Sequence, residues 1–231
     1  INFDISSWDL STATRSAEIE AQLALASDND ILYFDSSDDI TVDFSSEIEI
    51  SSSAYDLANL TFENRGSGSV NFDGGGTSSH FRLDKSTSNT TFDNIIFING
   101  FDASEAGSIS VKDGYVTITN ASFENNSGVS GGAIFNDASV NLTTITGSTF
   151  SGNSSTNGGG AVYALTELAI DNCTFIDNST STKGGAIAAI DDVNLTNCTF
   201  YNNSATTSGD ALSSLLGSSI FNLSNSIVSG S

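Results

Sequence analysis

Phenylalanine recurs at a nearly constant interval through the second half of the chain, each time inside a longer repeated segment. The four clearest copies are ASFENNSGVSGGAIFN, STFSGNSSTNGGGAVYA, CTFIDNSTSTKGGAIAA and CTFYNNSATTSGDALSS. Their phenylalanines, separated by 27, 25 and 25 residues, are Phe123, Phe150, Phe175 and Phe200. A unit this short cannot bury its own apolar residues, whereas stacked units bury them against one another. The interval therefore predicts a solenoid.

Each unit is predicted to begin with a strand that has one buried face, because side chains alternate in polarity ahead of each Phe. The positions seven and five residues before it hold Val116 and Ile118, Thr143 and Ile145, Leu168 and Ile170, and Val193 and Leu195. Three residues before each Phe the chain has Asn120, Gly147, Asn172 or Asn197. Three residues after it the chain has Asn126, Asn153, Asn178 or Asn203. Asn and Gly tolerate the left-handed backbone of a bend.

We therefore expect three strands per coil. The first precedes the Asn or Gly bend, the second carries the Phe, and the third begins at the GGA motif after a second Asn turn and a polar loop. The fourth copy departs from GGA because Asp210 replaces the second Gly. Weaker copies are expected to end at Phe97 and Phe62.

The predicted fold class is all-β, a single-stranded parallel β-helix of about 25 residues per coil, with equivalent residues stacked about 4.8 Å apart. Two structural ladders follow from this stacking. The internal ladder consists of Phe123, Phe150, Phe175 and Phe200, and the corner ladder of Asn126, Asn153, Asn178 and Asn203.

The N-terminal segment is predicted to cap the first coil. Ile19, Leu23 and Ala26 are spaced to form one apolar stripe on a helix, which we place at about residues 14–26. We assign residues 1–30 to the cap and residues 31–231 to the β-helix, with the strongest repeats in residues 117–214. Because the last residues still resemble a coil, we expect the chain to continue beyond them, and an uncovered end to favour self-association.

Charge limits the classes of partner. The chain has 28 acidic and 6 basic residues, a formal net charge of −22, so it lacks the electrostatic attraction that nucleic acids and anionic membranes require. No apolar run approaches the roughly 20 residues of a transmembrane helix, and we expect no transmembrane segment in this chain. A composition that is acidic and poor in Lys indicates an extracellular protein.

The two cysteines, Cys173 and Cys198, occupy equivalent positions two residues before their phenylalanines. Stacked coils would bring them close enough for a disulfide, and two buried free thiols are the alternative. The chain has one histidine and no CxxC motif, so no zinc site or Cys-His nucleophile is recognisable.

Candidate catalytic and metal-binding residues are few. Asp191 and Asp192 resemble the paired carboxylates of polysaccharide-cleaving enzymes, but the basic cluster of His80, Arg82 and Lys85 lies about four coils away, roughly 20 Å. Calcium is the candidate metal, because acidic residues are concentrated in one segment. These are Asp28, Asp30, Asp35, Asp38 and Asp39. We predict no catalytic residue and no cofactor, and we leave the metal unassigned.

The pairing of FENN with GGAI, FSGN with GGAV and FIDN with GGAI resembles the repeats of chlamydial polymorphic outer membrane proteins. The segments RSAEIEAQLALASDNDILYFDSSDDITV and LSNSIVSG are similar to a broader group of bacterial and archaeal extracellular β-helix proteins. The resemblance implies a right-handed β-helix, a location at the cell surface and, from the chlamydial members, adhesion to host cells.

The function predicted is non-catalytic: an adhesion or structural module at the cell surface that presents polar loops, such as residues 126–130 and 179–183, on a stiff β-helix. Its partner would be a protein or glycan on a host or neighbouring cell. Three alternatives remain. They are a β-helix enzyme that binds or cleaves polysaccharide, a self-assembling extracellular filament or sheath subunit, and an ice-binding face built from Thr-x-Thr rungs at Thr117, Thr119, Thr144 and Thr146.

Overall fold

The computed structural model describes residues 2–4, 16–51, 53–217 and 219–229. It is an all-β parallel solenoid of about 7 turns with ~26 residues per coil and one short N-terminal helix. The fold class predicted from the repeat interval is therefore confirmed.

The elements follow one another with short connections. In chain order they are β1 (Asn2–Asp4), α1 (Ser16–Leu23), β2 (Ile31–Phe34), β3 (Ile40–Asp43), β4 (Ile48–Ser51), β5 (Thr61–Asn64), β6 (Val70–Asp73), β7 (Phe81–Asp93), β8 (Ile96–Ile98), β9 (Ile109–Thr119), β10 (Ser122–Glu124), β11 (Ser127–Gly128), β12 (Ile134–Asn136), β13 (Val140–Thr146), β14 (Thr149–Ser151), β15 (Ser154–Ser155), β16 (Val162–Ala164), β17 (Leu168–Asp171), β18 (Thr174–Ile176), β19 (Ser179–Thr180), β20 (Ile187–Ala189), β21 (Val193–Thr196), β22 (Thr199–Tyr201), β23 (Ser204–Ala205), β24 (Leu212–Ser214), β25 (Phe221–Ser224) and β26 (Ile227–Ser229).

Equivalent strands of successive coils pair in parallel and form three sheets. The 14-stranded sheet contains both the strands before the first bend and the strands that begin at GGA, because the long strands β7 and β9 run through both sets. The Phe strands form the 8-stranded sheet from β3 to β26. The third sheet consists of the two-residue strands β11, β15, β19 and β23.

The predicted register is confirmed by the strand pairing. Phe123 pairs with Phe97 and Phe150, and Phe175 pairs with Phe150 and Phe200. Neighbouring rings in this ladder lie 4.7–4.8 Å apart between centroids, with interplanar angles of 2–6°. A separation that large between nearly parallel rings indicates offset stacking, the arrangement that aromatic quadrupoles prefer.

The bends before the Phe strands have the predicted left-handed backbone. Asn120, Asn172 and Asn197 have φ of 52–54°, and Gly147 has φ of 62°. At the second turn the prediction is corrected, because the left-handed residue lies one position earlier than the ladder Asn. These residues are Asn125, Gly152, Asp177 and Asn202.

The ladder asparagines are buried, with at most 1 % of their surface exposed. Asn153 is typical, because its Nδ2 donates to Phe123 O and to Asn178 Oδ1, each at 2.9 Å. Its own Oδ1 accepts from the backbone N and from Nδ2 of Asn126, each at 3.0 Å. The buried amide therefore uses both donors and both lone pairs, as burial of a polar group requires.

The number of strands per coil also needs correction. The segment after the Asn turn was expected to be a polar loop, but in the repeats it opens with the short strands β11, β15, β19 and β23. Asn126 is fully buried and Thr180 is 5 % exposed, so these segments begin inside the wall of the solenoid. The sequence does not predict these strands, because they are two residues long and carry mostly Ser and Thr, so they lack the alternation of polar and apolar residues that indicates a strand.

The interpretation of Phe62 as a member of the Phe ladder is wrong. Phe62 lies in β5 and pairs with Phe92, in the same column as Ile118 and Ile145. Phe72 takes the ladder position in that coil, where it pairs with Phe97. The two positions were confused because FEN occurs both at Phe62 and at Phe123.

Helix α1 begins within the predicted range and ends at Leu23, three residues before the predicted end. Ile19 and Leu23 are buried in the apolar core of the first coils, and Ala26 packs against that core from outside the helix. Thr14 and Arg15, the first residues of the predicted helix, lie outside the described residues. Strand β1, within the segment assigned to the cap, pairs with β2.

The second Gly of each GGA motif is required by the stacking. A Cβ at Gly160 would lie 2.0 Å from Gly185 O of the next coil, closer than any side chain can approach. In the fourth copy Gly209 keeps a left-handed φ of 68°, so the turn persists despite Asp210. The Asp210 carboxylate accepts a hydrogen bond from the backbone N of Ala205 at 3.3 Å.

Truncation of a ladder Phe should destabilise the whole solenoid. Phe175→Ala removes a fully buried ring that stacks on two neighbours, and we expect a loss of about 3–5 kcal/mol in the free energy of unfolding. Tyr201→Ala is the matched control, because Tyr201 is 54 % exposed and should change stability by less than about 0.5 kcal/mol. Equal melting of Phe175→Ala and wild type in urea or heat would contradict the register.

Candidate functional site

A groove on the outside of the solenoid, beside the Tyr163 ring, is the candidate site. The outward position at the middle of these strands holds Phe135, Tyr163, Ala188 and Ser213 in successive coils. The column therefore loses its large side chains after Tyr163. Beside the Tyr163 ring, the last three coils form a groove of about 450 Å³. Ligand sites typically enclose about 300–1,000 Å³.

The two sides of the groove differ in polarity. One side carries Asn157, Thr182 and Thr207, which occupy equivalent positions in three successive coils. The other side carries Ile190, Leu215 and Leu216, of which Leu216 is 69 % exposed. Repetition at the spacing of parallel strands therefore sets three polar groups in a row, about 4.8 Å apart, opposite an apolar wall.

Tyr163 forms the end wall of the groove. Its ring lies 5.9 Å from the Phe135 ring between centroids. Gly158 also lies beside the Tyr163 ring, and because it has no side chain it leaves that part of the ring uncovered. Burial raises the pKa of the Tyr163 phenol, so it stays protonated and able to donate a hydrogen bond at neutral pH. The buried hydroxyl oxygen of Thr182 has no hydrogen-bond partner, although buried polar atoms are normally satisfied.

Lys183 supplies the charge of the groove. The other described cations are paired: Arg65 with Glu63, Arg82 with Asp84 and Glu105, Lys85 with Asp56, and Lys112 with Glu105 and Asp137. Lys183 makes no ion pair with any described carboxylate. Among the described residues that line the groove, none is acidic. An unpaired cation in a chain of net charge −22 is the electrostatic feature that distinguishes this surface.

Sequence analysis missed this groove. Lys183 stands where the neighbouring copies have Gly158 and Ser208, and this difference is visible in the sequence. That Lys183 lacks an ion-pair partner is visible only in the structure.

The structure keeps the predicted carboxylate pair and basic cluster apart. Four strand pairings separate Arg82 from the coil of Ala188, next to Asp191 and Asp192, so the separation is about 19 Å. Asp192 Oδ1 accepts a hydrogen bond from Ile220 N at 2.8 Å. The pair thus supports a turn of the following coil.

The basic cluster is also divided among separate interactions. Arg82 and Lys112 both donate to the Glu105 carboxylate, at 3.1 and 2.8 Å. Lys85 lies 2.6 Å from Asp56. The Arg82–Glu105 and Lys85–Asp56 pairs join neighbouring coils, and the side chains of Lys85 and Lys112 are only 12 and 18 % exposed.

The acidic segment that suggested calcium forms hydrogen bonds to the next coil. Asp28 Oδ1 accepts from Ala58 N at 2.7 Å, and Asp39 Oδ1 accepts from both N and Oγ of Ser69 at 2.8 Å. These bonds from Ser69 lower the pKa of Asp39. Within the described residues, no three carboxylate, His or Cys side chains lie close enough to hold a metal ion.

The two cysteines are buried free thiols in this structure. Cys173 accepts a hydrogen bond from Ser148 N, and the thiols donate to the carbonyls of Asp171 and Thr196, each at 3.2 Å. Burial raises the pKa of Cys173 to about 12, which keeps the thiol protonated and unreactive. Whether oxidation joins Cys173 to Cys198 stays a prediction.

His80 lies inside the solenoid, fully buried between the rings of Phe44 and Phe97 at centroid distances of 5.0 and 5.5 Å. Its Nδ1 forms a 3.0 Å hydrogen bond with Ser108 Oγ. Burial lowers the pKa of His80 to about 4, so the imidazole is neutral in the folded protein. No substrate reaches it, which excludes His80 from surface chemistry.

The buried imidazole should make stability depend on pH. Because the folded pKa of about 4 lies below the unfolded value of roughly 6.5, the stabilisation is complete above pH 6.5 and is lost as the pH falls toward 4. Between pH 7 and pH 5 we expect the wild type to lose about 2 kcal/mol more than His80→Gln, which cannot titrate. Urea unfolding of both proteins at the two pH values measures the difference, and identical losses would contradict the assignment.

The repeats match a known family. The model of the Chlamydia polymorphic membrane protein repeat matches residues 120–137, 147–165 and 172–190. Each match begins at an Asn or Gly bend and ends just after a GGA strand, so it covers the Phe strand and the GGA strand and leaves out the strand before the bend. The resemblance inferred from FxxN and GGA is confirmed for these coils. Comparison with curated proteins and with solved structures finds no significant match.

No helix among the described residues is long and apolar enough to cross a membrane.

Proposed function

We propose that this chain is a surface-exposed, non-catalytic module of the polymorphic membrane protein type, which binds other cells through the outer faces of a stiff solenoid. The matched repeat supports the surface location, because its family description refers to membrane proteins. The observation that carries the proposal is the direction of the motif residues. The Phe and Asn that define the repeat point inward and are buried, so the repeat maintains a scaffold and leaves its outer side chains free for recognition.

The arrangement of acidic and basic side chains favours binding over polysaccharide cleavage. A glycoside hydrolase needs its two carboxyl groups about 5–10 Å apart across an open sugar site. Here Asp192 accepts a hydrogen bond from a backbone N–H of the next coil. His80, the one histidine, is buried inside the solenoid and cannot contact a polysaccharide. Binding through fixed faces needs no such pair.

Association through the end of the solenoid is a second candidate. Strands β25 and β26 expose Leu223 and Val228 at 45 and 47 % of their surface, in columns that are buried in earlier coils. An uncovered strand edge of this kind attracts another strand. A second copy of the chain would cover this edge by pairing strand against strand.

Adhesion is tested with beads that carry the folded chain. We expect saturable binding to epithelial or bacterial cells, competed by soluble chain, whereas beads with an unrelated acidic protein of similar charge should not bind. Light scattering across a concentration series, run in parallel, separates binding by monomers from binding by end-to-end assemblies. Absence of saturable binding to every cell type, or cleavage of an acidic polysaccharide by the chain, would contradict the proposal.

A further inference from the structure

The groove beside Tyr163 has features of a ligand site that the scaffold does not explain. Lys183 lines it without an ion pair to any described residue, and the Thr182 hydroxyl oxygen is buried there without a partner. Lys183 has no equivalent in the adjacent coils, where the corresponding positions hold Gly158 and Ser208. The stacking of coils therefore requires neither the charge nor the unsatisfied hydroxyl.

The single positive charge restricts the ligand. A polyphosphate or nucleic acid needs several cations, and the net charge of −22 repels both. A ligand with one isolated carboxylate matches one Lys, which acts as a point charge. The lack of acidic side chains among the described lining residues removes the repulsion that such a ligand would meet on other surfaces of this protein.

The remaining groups of the groove fit a sugar. Asn157 and Thr207 present hydrogen-bonding side chains along one side of the groove, in the coils before and after that of Thr182, which suits a ligand with several hydroxyl groups. Tyr163 supplies an apolar ring face for the sugar and a polar hydroxyl group at the end of the same side chain. An extended peptide would instead need free backbone N–H and C=O groups, but the backbone here is already bonded between coils, as in Gly160 N to Gly184 O and Leu215 N to Ala189 O.

We propose that this groove binds a carboxylate-bearing saccharide, with Lys183 Nζ on the sugar carboxylate, Tyr163 against the face of a sugar ring, and Asn157 and Thr207 on its hydroxyl groups. The inference rests on the proposed binding role and specifies its ligand class. The volume of about 450 Å³ accommodates one or two sugar rings. The site recognises the terminal or internal acidic sugar of a surface glycan.

The test is a titration of the purified full chain with three probes: digalacturonate, sialyllactose and neutral lactose. NMR or calorimetry measures the binding. We expect at least one acidic probe to bind about tenfold more tightly than lactose at low salt, the value of one charge-assisted contact. Lys183→Gln should abolish this preference, whereas Lys183→Arg should retain it. Tyr163→Ala should weaken every probe that binds, and Tyr163→Phe should largely preserve binding.

Lys85→Gln is the matched control, because it removes the same charge at an ion pair outside the groove and should leave sugar binding unchanged. Failure of both acidic probes to bind, or equal binding by wild type and Lys183→Gln, would overturn the proposal. A dimer of the free chain that Tyr163→Ala dissociates would also overturn it, because a second copy would then fill the groove. Cell binding that survives in Lys183→Gln would leave adhesion standing and refute only the groove as the site of that adhesion.

Discussion

The buried ladder of Asn126, Asn153, Asn178 and Asn203 is the interaction on which the regular part of this solenoid depends. An amide removed from water is destabilising by a few kcal/mol unless its donors and acceptors are bonded. Here Asn126, Asn153 and Asn178 are fully bonded only when the next coil lies directly over them. A shift of one residue would break these bonds and turn the Phe column outward. Equivalent residues within the ladder are 25–27 residues apart. Outside it the coils are less regular: the paired residues Phe62 and Phe92 are 30 residues apart, and both contact the Phe81 ring at steep angles.

Because the inner side chains hold the coils, the outer side chains are free to differ from coil to coil. Tyr163, Ala188 and Ser213 occupy the same position on equivalent strands, yet one is a ring and the other two are small. Lys183 similarly replaces a Gly or Ser. A repeat that is uniform inside thus carries different side chains and charges on its outer surface from one coil to the next. The candidate binding function therefore resides in the differences between repeats.

Sequence reasoning predicted the coil, its register and the Phe and Asn columns, because identical residues at equal intervals can be satisfied together only by stacking. It placed the left-handed residue of the second turn one position late, because in the coil of Asn125 and Asn126 two asparagines are adjacent and only the structure separates the bent one from the buried one. It also missed the short strand at Ser154–Ser155, whose polar side chains show no alternation. The groove was beyond reach, since an unpaired Lys is recognised only when the partners of all other charges are known.

A double-mutant cycle on Asn153 and Asn178 tests the central claim most directly. The free energy of unfolding is measured in urea for Asn153→Ala, Asn178→Ala and the double variant, with the distant pair Asn126 and Asn203 as the reference cycle. The ladder predicts that adjacent asparagines are coupled by about 1–2 kcal/mol, since they share a hydrogen bond of 2.9 Å, and that the reference pair is additive within about 0.5 kcal/mol. Additive losses at Asn153 and Asn178 would show that the coils are held together without the ladder, and would contradict the account.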